Sequence, residues 1–358
     1  MTTDSPLVVL VTGAGAPGIR GTLFALRHNS DHVPVRVVGT DMNENAVGRY
    51  MADSFHCVPS PDDSGYLEEF IEVCKSERVK VVLPQTTREI SVLSRSAERV
   101  FDESGARIIA SAPAAVEVGN NKYEVLEVFR RLGLPHPSFF LAKGERDFIE
   151  AVHSLGYPDR KVVIKPPVSN GMRGFRVLVE SPMSLEQFLQ QKPTGTEIDL
   201  NNMLRILRNG RNWPELLVTE YLPGAEYSVD VFRSDGTVVA IPRLRNVIRS
   251  GISFENSMIK RDDLAQFALA AAAEIGLEHA FGFQFKEDKC GIPKVLECNP
   301  RIQGTMAASV FAGVNPTWLS VKASLGWPIR PEETRVRDAK FYRYWGGVGV
   351  IDGVAVEI

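Results

Sequence analysis

Cysteine is scarce in this chain, and its spacing suits neither a disulfide framework nor a thiolate metal site. The four cysteines are Cys57, Cys74, Cys290 and Cys298. They show no C-x-x-C spacing, and no histidines accompany them at the spacing of metal ligands. This pattern predicts free thiols in a reducing compartment, the cytoplasm.

Long apolar runs and a strong net charge are also missing. No apolar run reaches the roughly 18 residues that a membrane-spanning helix needs, and the first residues lack the basic stretch and cleavage site of a secretory leader. The net charge of −3 gives no reason to expect nucleic acid or an anionic membrane as a partner. The composition, 44% hydrophobic and 24% charged, is that of a soluble globular protein, and 358 residues predict two or three domains.

The first third of the chain alternates strand-like and helical patterns. The strands are expected at LVVLVTG, VRVVGTD, VKVVLPQ and ARIIAS, with helices over 65–77 and 88–105. This order predicts a doubly wound parallel sheet. One further helix is expected over 113–133, because a proline stands at its start and a glycine at its end.

After the segment LPHPSFF the pattern changes, and strands come in adjacent pairs. The expected pairs are KVVIKPP with FRVLVES, LLVTEYL with EYSVDVF, and HAFGFQFKED with KVLECNPR. Hairpin-like strands flanked by separate helices predict antiparallel sheets. The predicted fold class is therefore α/β followed by α+β.

A glycine-rich turn follows the first strand. Gly13, Gly15 and Gly18 match G-x-G-x-x-G, and Asp41 ends the next strand, as in a dinucleotide-binding fingerprint. An NAD(P)-dependent oxidoreductase is therefore one interpretation. The six histidines, however, show no arrangement that suggests a catalytic pair for hydride transfer.

A lysine and a loop of small residues suggest a phosphate site. Lys165 ends a strand, and a turn with small residues follows before the next strand. Such a turn lets backbone N–H groups approach a polyphosphate, while the lysine supplies a point charge. The small and polar residues of the turn are Ser169, Asn170, Gly171 and Gly174.

Two later strands place oxygen ligands on one face. Alternate residues of a strand share a face, so Glu297 and Asn299 point the same way, and a hairpin brings Gln284 beside them. A carboxylate and two amide oxygens are hard ligands that suit Mg²⁺ or Mn²⁺. Arg301 follows, where its guanidinium can neutralise charge on a transferred phosphoryl group.

The order of these elements resembles the ATP-grasp superfamily. It runs from Lys122 in NNKYEV through VVIKP, the small-residue loop and TEYLPGAEYSVDV to LECNPR. The chain is most similar to one ATP-grasp half of the carbamoyl-phosphate synthase large chain and to related carboxylate–amine ligases. The resemblance implies an N-terminal Rossmann-like domain (1–112) and an ATP-grasp domain (113–358) with a mobile lid (about 136–221).

The resemblance also implies roles for individual residues. Lys122 and Lys165 would contact ATP, and Mg²⁺ (or Mn²⁺) would be held by Gln284, Glu297 and Asn299. Arg301 would stabilise the transferred phosphoryl group. Adenine and ribose would be held by Glu220, Tyr221, Leu222 and Glu226.

The implied reaction is ATP-dependent activation of a carboxylate as an acyl phosphate, followed by attack of an amine or ammonia. The partners would be small-molecule substrates, with a homodimer as a possible assembly. A catalytically silent ATP-binding module is a further alternative. The phosphate loop SNGMRG is poorer in glycine than the family's usual form, and the chain is too short for a whole carbamoyl-phosphate synthase.

A basic stretch has no role in this scheme. It contains Arg243, Arg245, Arg249, Lys260 and Arg261. It is either a solvated face or an anion-binding wall.

Overall fold

The computed structural model describes residues 5–180, 184–190, 195–351 and 354–357. Two parts of the predicted lid (181–183 and 191–194) lie outside these ranges, as do the first four residues, on which the expectation of no leader partly rests. The helices are α1 (Ile19–Arg27), α2 (Tyr66–Ser76), α3 (Thr87–Arg95), α4 (Ala97–Ser104), α5 (Pro113–Asn120), α6 (Lys122–Arg131), α7 (Glu145–Ser154), α8 (Leu185–Gln190), α9 (Leu200–Arg208), α10 (Asp262–Ile275), α11 (Ala308–Phe311) and α12 (Pro316–Ser324).

The strands run through both halves of the chain. They are β1 (Leu7–Val11), β2 (Val35–Asp41), β3 (Ser54–Cys57), β4 (Val81–Leu83), β5 (Arg107–Ile108), β6 (Phe139–Ala142), β7 (Val162–Lys165), β8 (Arg176–Leu178), β9 (Glu197–Ile198), β10 (Leu216–Glu220), β11 (Glu226–Ser234), β12 (Thr237–Arg249), β13 (Ile252–Met258), β14 (His279–Glu287), β15 (Pro293–Asn299), β16 (Lys340–Tyr342), β17 (Val348–Ile351) and β18 (Val354–Glu357). Short 3₁₀ helices span Val47–Tyr50 and Pro331–Thr334.

The chain divides into two compact units. The first unit consists of Met1–Gly119, Tyr227–Phe283 and Cys298–Ile358. The second consists of Asn120–Glu226 and Gln284–Glu297. The chain therefore passes through the second unit twice, and its second passage begins within β14 and ends within β15.

The N-terminal sheet of the first unit confirms the predicted parallel arrangement. Its strand order is β3-β2-β1-β4-β5, and the described pairings are all parallel. Val9, Leu10 and Val11 of β1 are fully buried, which stabilises each by about 1.5–3 kcal/mol relative to an exposed position. The strand β3, with the sequence SFHC, was not predicted, because it is short and half polar.

Two predicted helices are each divided in two. The stretch 88–105 forms α3 and α4, which meet at Ser96. The stretch 113–133 forms α5 and α6, because Asn121 adopts an extended conformation and its side chain accepts hydrogen bonds from the N–H groups of Tyr123 and Glu124. This N-cap makes Lys122 the first residue of α6.

The sheet of the second unit has the order β6-β10-β7-β8-β9. The expected antiparallel pairing of KVVIKPP with FRVLVES is confirmed, since Val162 of β7 pairs with Leu178 of β8. The expected hairpin of LLVTEYL with EYSVDVF is wrong. Its first strand, β10, lies between β6 and β7, whereas β11 belongs to another sheet.

That other sheet has six strands in the order β15-β14-β11-β12-β13-β16. It confirms the predicted neighbourhood of β14 and β15. In the first unit, Phe232, Ile241 and Met258 of its strands share a buried core with Ala308 and Leu319 of the C-terminal helices. No described helix has the length and apolar character that crossing a membrane requires.

Candidate functional site

Lys165 is a buried cation in the second unit. It ends β7 with 8% of its surface exposed, and its Nζ donates a hydrogen bond to the carbonyl oxygen of Leu296 at 3.1 Å. Burial, together with the neighbouring charge of Lys122, lowers the pKa of Lys165 from the usual 10.5 to about 8, against the opposing effect of Glu297 and Glu226. A desolvated ammonium held on a strand end is suited to binding an anion.

Lys122 connects the predicted phosphate loop with the predicted metal strand. Its Nζ donates to the carbonyl oxygen of Ser169 at 2.8 Å and lies 3.6 Å from Oε2 of Glu297. Its backbone N–H donates to the carbonyl oxygen of Pro167 at 2.8 Å. The structure thus brings together Lys122, Ser169 and Glu297, which are far apart in the sequence.

The phosphate loop has the backbone geometry that small residues permit. Gly171 and Gly174 have φ angles of 58° and 76°, in the left-handed region. A Cβ on Gly174 would come within 2.6 Å of Cδ and Cγ of Pro166. Glycine at position 174 is therefore required for the loop to fold back on the end of β7.

The predicted adenine-binding segment is held to the end of β14. The N–H of Gly224 donates to the carbonyl oxygen of Glu287 at 2.9 Å, and the N–H of Glu287 donates to Ala225 at 2.9 Å. Leu222 is buried, whereas Tyr221 is 37% exposed.

The two acids of this segment already have cationic partners. Glu220 forms an ion pair with Lys294 and accepts a hydrogen bond from the N–H of Ser138 at 3.1 Å. Oε2 of Glu226 lies 3.5 Å from Nζ of Lys286. Lys294 was not identified from the sequence, because its partner lies 74 residues away.

The predicted metal ligands lie on β14 and β15 as expected. Gln284, Glu297 and Asn299 are partly buried, whereas Phe283 and Phe285, which flank Gln284, are fully buried. Gln284 and Glu297 belong to the second unit, and Asn299 follows in the first. Among the described residues, no group of three His, Cys, Asp or Glu side chains is placed to hold a metal.

The donor set fits Mg²⁺ by its chemistry. It offers one carboxylate and two amide oxygens, and Mg²⁺ usually takes one or two carboxylates together with phosphate oxygens and waters. In the first unit, Nη2 of Arg301 donates to Oδ1 of Asn299 at 3.2 Å, and its Nη1 donates to the carbonyl oxygen of Ile302 at 3.2 Å.

The glycine turn that follows β1 already makes contacts with other residues of the first unit. The N–H of Gly15 donates to Oδ2 of Asp41 at 2.7 Å. A Cβ on Gly18 would lie 2.6 Å from Cα of Gly304. Asp41 therefore stabilises the turn, and Gly18 permits close packing within the first unit, so neither contact favours a dinucleotide site.

The basic stretch is not a uniformly solvated face. Arg249 and Lys260 are exposed, but Arg243 and Arg245 are buried, with 0% and 8% of their surfaces exposed. The interpretation as a solvated face is wrong for these two arginines, because they point into the first unit from β12.

Two family models match this chain. Residues 9–109 match the model described as "PylC-like, N-terminal domain". Residues 212–343 match the model described as "ATP-grasp in the biosynthetic pathway with Ter operon", a range that includes β14, β15 and Arg301. The resemblance to the ATP-grasp superfamily that the sequence predicted is confirmed by this match.

Curated proteins similar to this chain include carbamoyl phosphate synthase large chains. The protein from Rubrobacter xylanophilus is 26% identical over 281 residues, which cover 74% of this chain and 24% of the relative. The protein from Pyrococcus furiosus is 24% identical over 251 residues, covering 66% and 22%. The chain thus spans about a quarter of the length of these relatives.

Solved structures confirm the predicted fold class. N5-carboxyaminoimidazole synthetase from Staphylococcus aureus, complexed with ADP, is 16% identical with a TM-score of 0.67, over 92% of this chain and 80% of that one. The biotin carboxylase domain dimer of Hydrogenobacter thermophilus 2-oxoglutarate carboxylase, in complex with MgADP, ADP and bicarbonate, is 18% identical with a TM-score of 0.68, over 98% and 83%. A Rossmann-like sheet domain followed by an ATP-grasp fold is therefore the architecture of this chain.

Proposed function

We propose that this chain is an ATP-dependent carboxylate–amine ligase. It activates a small-molecule carboxylate as an acyl phosphate, which an amine or ammonia attacks to form a carbon–nitrogen bond. The observation that carries this proposal is the position of Lys122, whose Nζ contacts both the loop residue Ser169 and the carboxylate of Glu297. Two lysines and a carboxylate in one partly dehydrated cluster match the charges of a nucleotide polyphosphate and its cation.

In this proposal the second unit holds ATP. Lys122, Lys165 and the loop bind the phosphates, with N–H groups supplied at Ser169, Asn170, Gly171 and Gly174. The segment with Glu220, Tyr221, Leu222 and Glu226 holds adenine and ribose. Because Glu220 is engaged by Lys294, we assign the recognition of adenine to the backbone of this segment.

Gln284, Glu297 and Asn299 would hold Mg²⁺ (or Mn²⁺), which offsets the negative charge of the phosphates when it is bound. Arg301 carries a permanent charge and a planar set of donors, suited to oxygens whose charge shifts during phosphoryl transfer. Lys165 contributes a second positive charge beside the phosphates.

The proposed reaction has two steps. A carboxylate oxygen of the substrate attacks the γ-phosphorus of ATP, and the bond to ADP breaks. The nitrogen of the amine then attacks the carbonyl carbon of the acyl phosphate, inorganic phosphate leaves, and the nitrogen loses a proton. Residues of about 136–221 form the lid that excludes water from the acyl phosphate, which would otherwise be hydrolysed.

The assembly and compartment are part of the same proposal. A homodimer is supported by the solved domain dimer of similar fold, and light scattering of the purified chain tests it. The cytoplasm is supported by cysteines that are all free, two of them buried.

Release of ADP tests the activity. The purified chain with ATP and Mg²⁺ is screened against pooled amino acids and small carboxylates, with and without ammonia. We expect ADP release that depends on one acid, and its loss in Glu297→Gln. Glu150→Gln, which removes an exposed partner of Arg146, is the matched control and keeps full activity.

Two outcomes contradict the proposal. Stabilisation of the fold by NADPH and not by ATP with Mg²⁺ would restore the oxidoreductase interpretation, because a ligand of the native state raises its apparent stability. Binding of ATP without ADP release against any pool would favour the silent module.

A further inference from the structure

One face of the six-stranded sheet is apolar at one end and ionic at the other. Phe232, Ile241 and Met258 lie at its apolar end, in the core of the first unit. Two residues away on the same strands, and therefore on the same face, are Asp230, Arg243 and Asn256. The latter three are fully buried.

The first cation of this ionic region, Arg243, has a carboxylate counter-ion and acceptors for its guanidinium nitrogens. Its guanidinium donates to both carboxylate oxygens of Asp230 at 3.0 and 3.1 Å. It also donates to Oδ1 of Asn256 at 2.7 Å and to Oγ1 of Thr305 at 2.8 Å. The negative charge of Asp230, which also accepts from Ser309 at 2.8 Å, is therefore committed to Arg243.

The second cation, Arg343, has no such counter-charge. It follows β16, and its backbone N–H donates to the carbonyl oxygen of Phe254. Its Nη1 donates to the carbonyl oxygen of Pro17 at 3.1 Å, and its Nη2 donates to that of Gly304 at 2.9 Å. Within the described ranges, no carboxylate forms an ion pair with Arg343. Burial lowers the pKa of Arg343, and the positive charge of Arg243 lowers it further.

Two buried donors in this region also lack an acceptor. They are Nε of Arg343 and Nδ2 of Asn256, for which the described part of the chain offers no partner. Asn256 pairs across the sheet with Phe341, two residues before Arg343. A buried donor without an acceptor and a partly buried cation without a counter-ion both cost free energy, and an anion would reduce this cost.

One contact of Arg343 places it close to the segment of the first unit that carries the proposed catalytic residue Arg301. Pro17 belongs to the glycine turn, and Gly304 follows Arg301 by three residues. We propose that Arg343 binds a carboxylate group of the acceptor substrate. This inference rests on the proposed ligase function and names the residue that positions its acid substrate.

The alternative is that Arg343 has a purely structural role, in which its hydrogen bonds link Pro17 to Gly304. If the role is purely structural, replacing Arg343 destabilises the ligand-free protein and leaves the stabilisation by added anions unchanged. Removal of an uncompensated cation stabilises the free protein or leaves its stability unchanged, and it abolishes the anion effect. These opposite expectations allow a decisive comparison.

The test uses the full chain with saturating MgADP, so that the probes do not occupy the nucleotide site. Thermal unfolding is measured in sodium acetate, sodium phosphate and sodium chloride at equal ionic strength. The variants are Arg343→Gln and Arg343→Lys. Arg233→Gln is the matched control, because Arg233 lies in the same sheet and also donates to a backbone carbonyl, that of Leu277 at 3.0 Å.

We expect acetate to raise the unfolding temperature of the wild type and of Arg233→Gln, but not that of Arg343→Gln. Arg343→Lys retains the charge and should retain part of the shift. For the acid found by the ADP-release screen, Arg343→Gln should raise KM about 10- to 100-fold, the scale of one charge-assisted hydrogen bond. The KM for ATP should remain within a few-fold.

Three results would overturn the inference: no acetate shift in the wild type, an equal shift in Arg343→Gln, or a shift with phosphate alone. If Arg343→Gln does not fold, Arg343→Lys decides by the same two readouts. Failure of the wild type to bind MgADP would instead contradict the proposed ligase function, independently of the acetate result.

Discussion

Nζ of Lys122 donates a hydrogen bond to the carbonyl oxygen of Ser169 at 2.8 Å. This single contact joins the first turn of α6 to a loop 47 residues later in the sequence. Lys122 is therefore expected to order the loop as well as to attract phosphate.

Lys122→Met should weaken ATP binding by about 10- to 100-fold, because it removes one charge-assisted contact to phosphate and releases the loop. Titration calorimetry with ATP and Mg²⁺ measures this. Lys75→Met is the control, since Lys75 pairs with Glu72 at 2.8 Å on the surface and such pairs contribute little. An unchanged affinity in Lys122→Met would mean that the phosphates bind elsewhere.

Two buried lysines should respond in opposite ways to the same substitution. Lys322 donates to both oxygens of Glu333, at 2.9 and 2.8 Å, and to Asp31 at 3.2 Å. Lys322→Met removes the buried cation of these acids and leaves them only the more exposed Arg330 as a counter-charge. It should cost about 3–5 kcal/mol of unfolding free energy.

Lys165→Met should leave the stability unchanged or increase it, yet abolish turnover. Burial lowers the pKa of Lys165 from its usual 10.5 to about 8, so its charge opposes folding most strongly below pH 8. This opposition declines as the pH rises from about 8 to 10.5. Urea unfolding of both variants at pH 7, together with ADP release, checks the pair. Strong destabilisation by Lys165→Met would identify Lys165 as a structural residue.

Arg301 should affect the chemical step more than ATP binding. A group that stabilises charge during phosphoryl transfer lowers kcat when it is lost, with little change in the affinity for ATP. Arg301→Ala should lower kcat by about 10²–10³-fold, and Arg301→Lys should restore little, because a point charge does not reproduce a planar set of donors. Steady-state kinetics and an ATP titration separate the two effects. A large loss of ATP affinity with unchanged kcat would contradict this role.

Glu77 should make the fold sensitive to acid. Burial raises its pKa, but hydrogen bonds from Arg36, His56 and Ser54 outweigh this and lower the pKa to about 2 from the usual 4.5. Because the folded-state value is the lower one, the stabilisation is complete above about pH 4.5 and is lost as the pH falls through 2. It is worth on the order of 3 kcal/mol.

Unfolding free energies of the wild type and Glu77→Gln between pH 7 and 2 measure this contribution. The two curves should converge at low pH. Parallel curves would show that Glu77 does not carry the acid sensitivity.

The glycine turn offers a steric test of the dinucleotide interpretation. Gly18 and Gly65 are both helix N-caps with nearly the same φ, −86° and −81°. A Cβ on Gly18 would lie 2.6 Å from Cα of Gly304, whereas on Gly65 it would lie 3.5 Å from Oδ1 of Asp63. Gly18→Ala should therefore cost about 1–3 kcal/mol, and Gly65→Ala much less. Equal effects of the two substitutions on chemical unfolding would show that the packing against Gly304 is not tight.

The parallel sheet was predictable because its strands are continuous apolar runs that leave a local pattern. The interruption of the two predicted helices at Ser96 and Asn121 could not be predicted, because the helical periodicity of the sequence continues through both positions. The hairpin expected around Gly224 was wrong for a different reason. The residues around Gly224 have the composition of a turn. The backbone of Gly224, however, is hydrogen-bonded to Glu287, which lies 63 residues later in the sequence.

The same distinction applies to the site. Residue type and strand alternation were sufficient to place Gln284, Glu297 and Asn299 on neighbouring strands. The pairing of Lys294 with Glu220 and the environment of Arg343 have no local signal. The pairing joins strands of two different sheets, and the environment of Arg343 depends on strand order within one sheet. The sequence pattern alone determined neither arrangement.

The division of the chain into segments has a consequence for its biosynthesis. The core that covers one face of the N-terminal sheet contains Val9 and Val37, but also Ile302, Trp318 and Val321. During translation the first hundred residues therefore emerge without the side chains that complete this core. The second unit has a sheet and a core formed within 120–226. It can therefore fold during translation before the C-terminal residues that complete the N-terminal core have been synthesised. We expect the nascent N-terminal segment to be the part of this protein that most depends on chaperones.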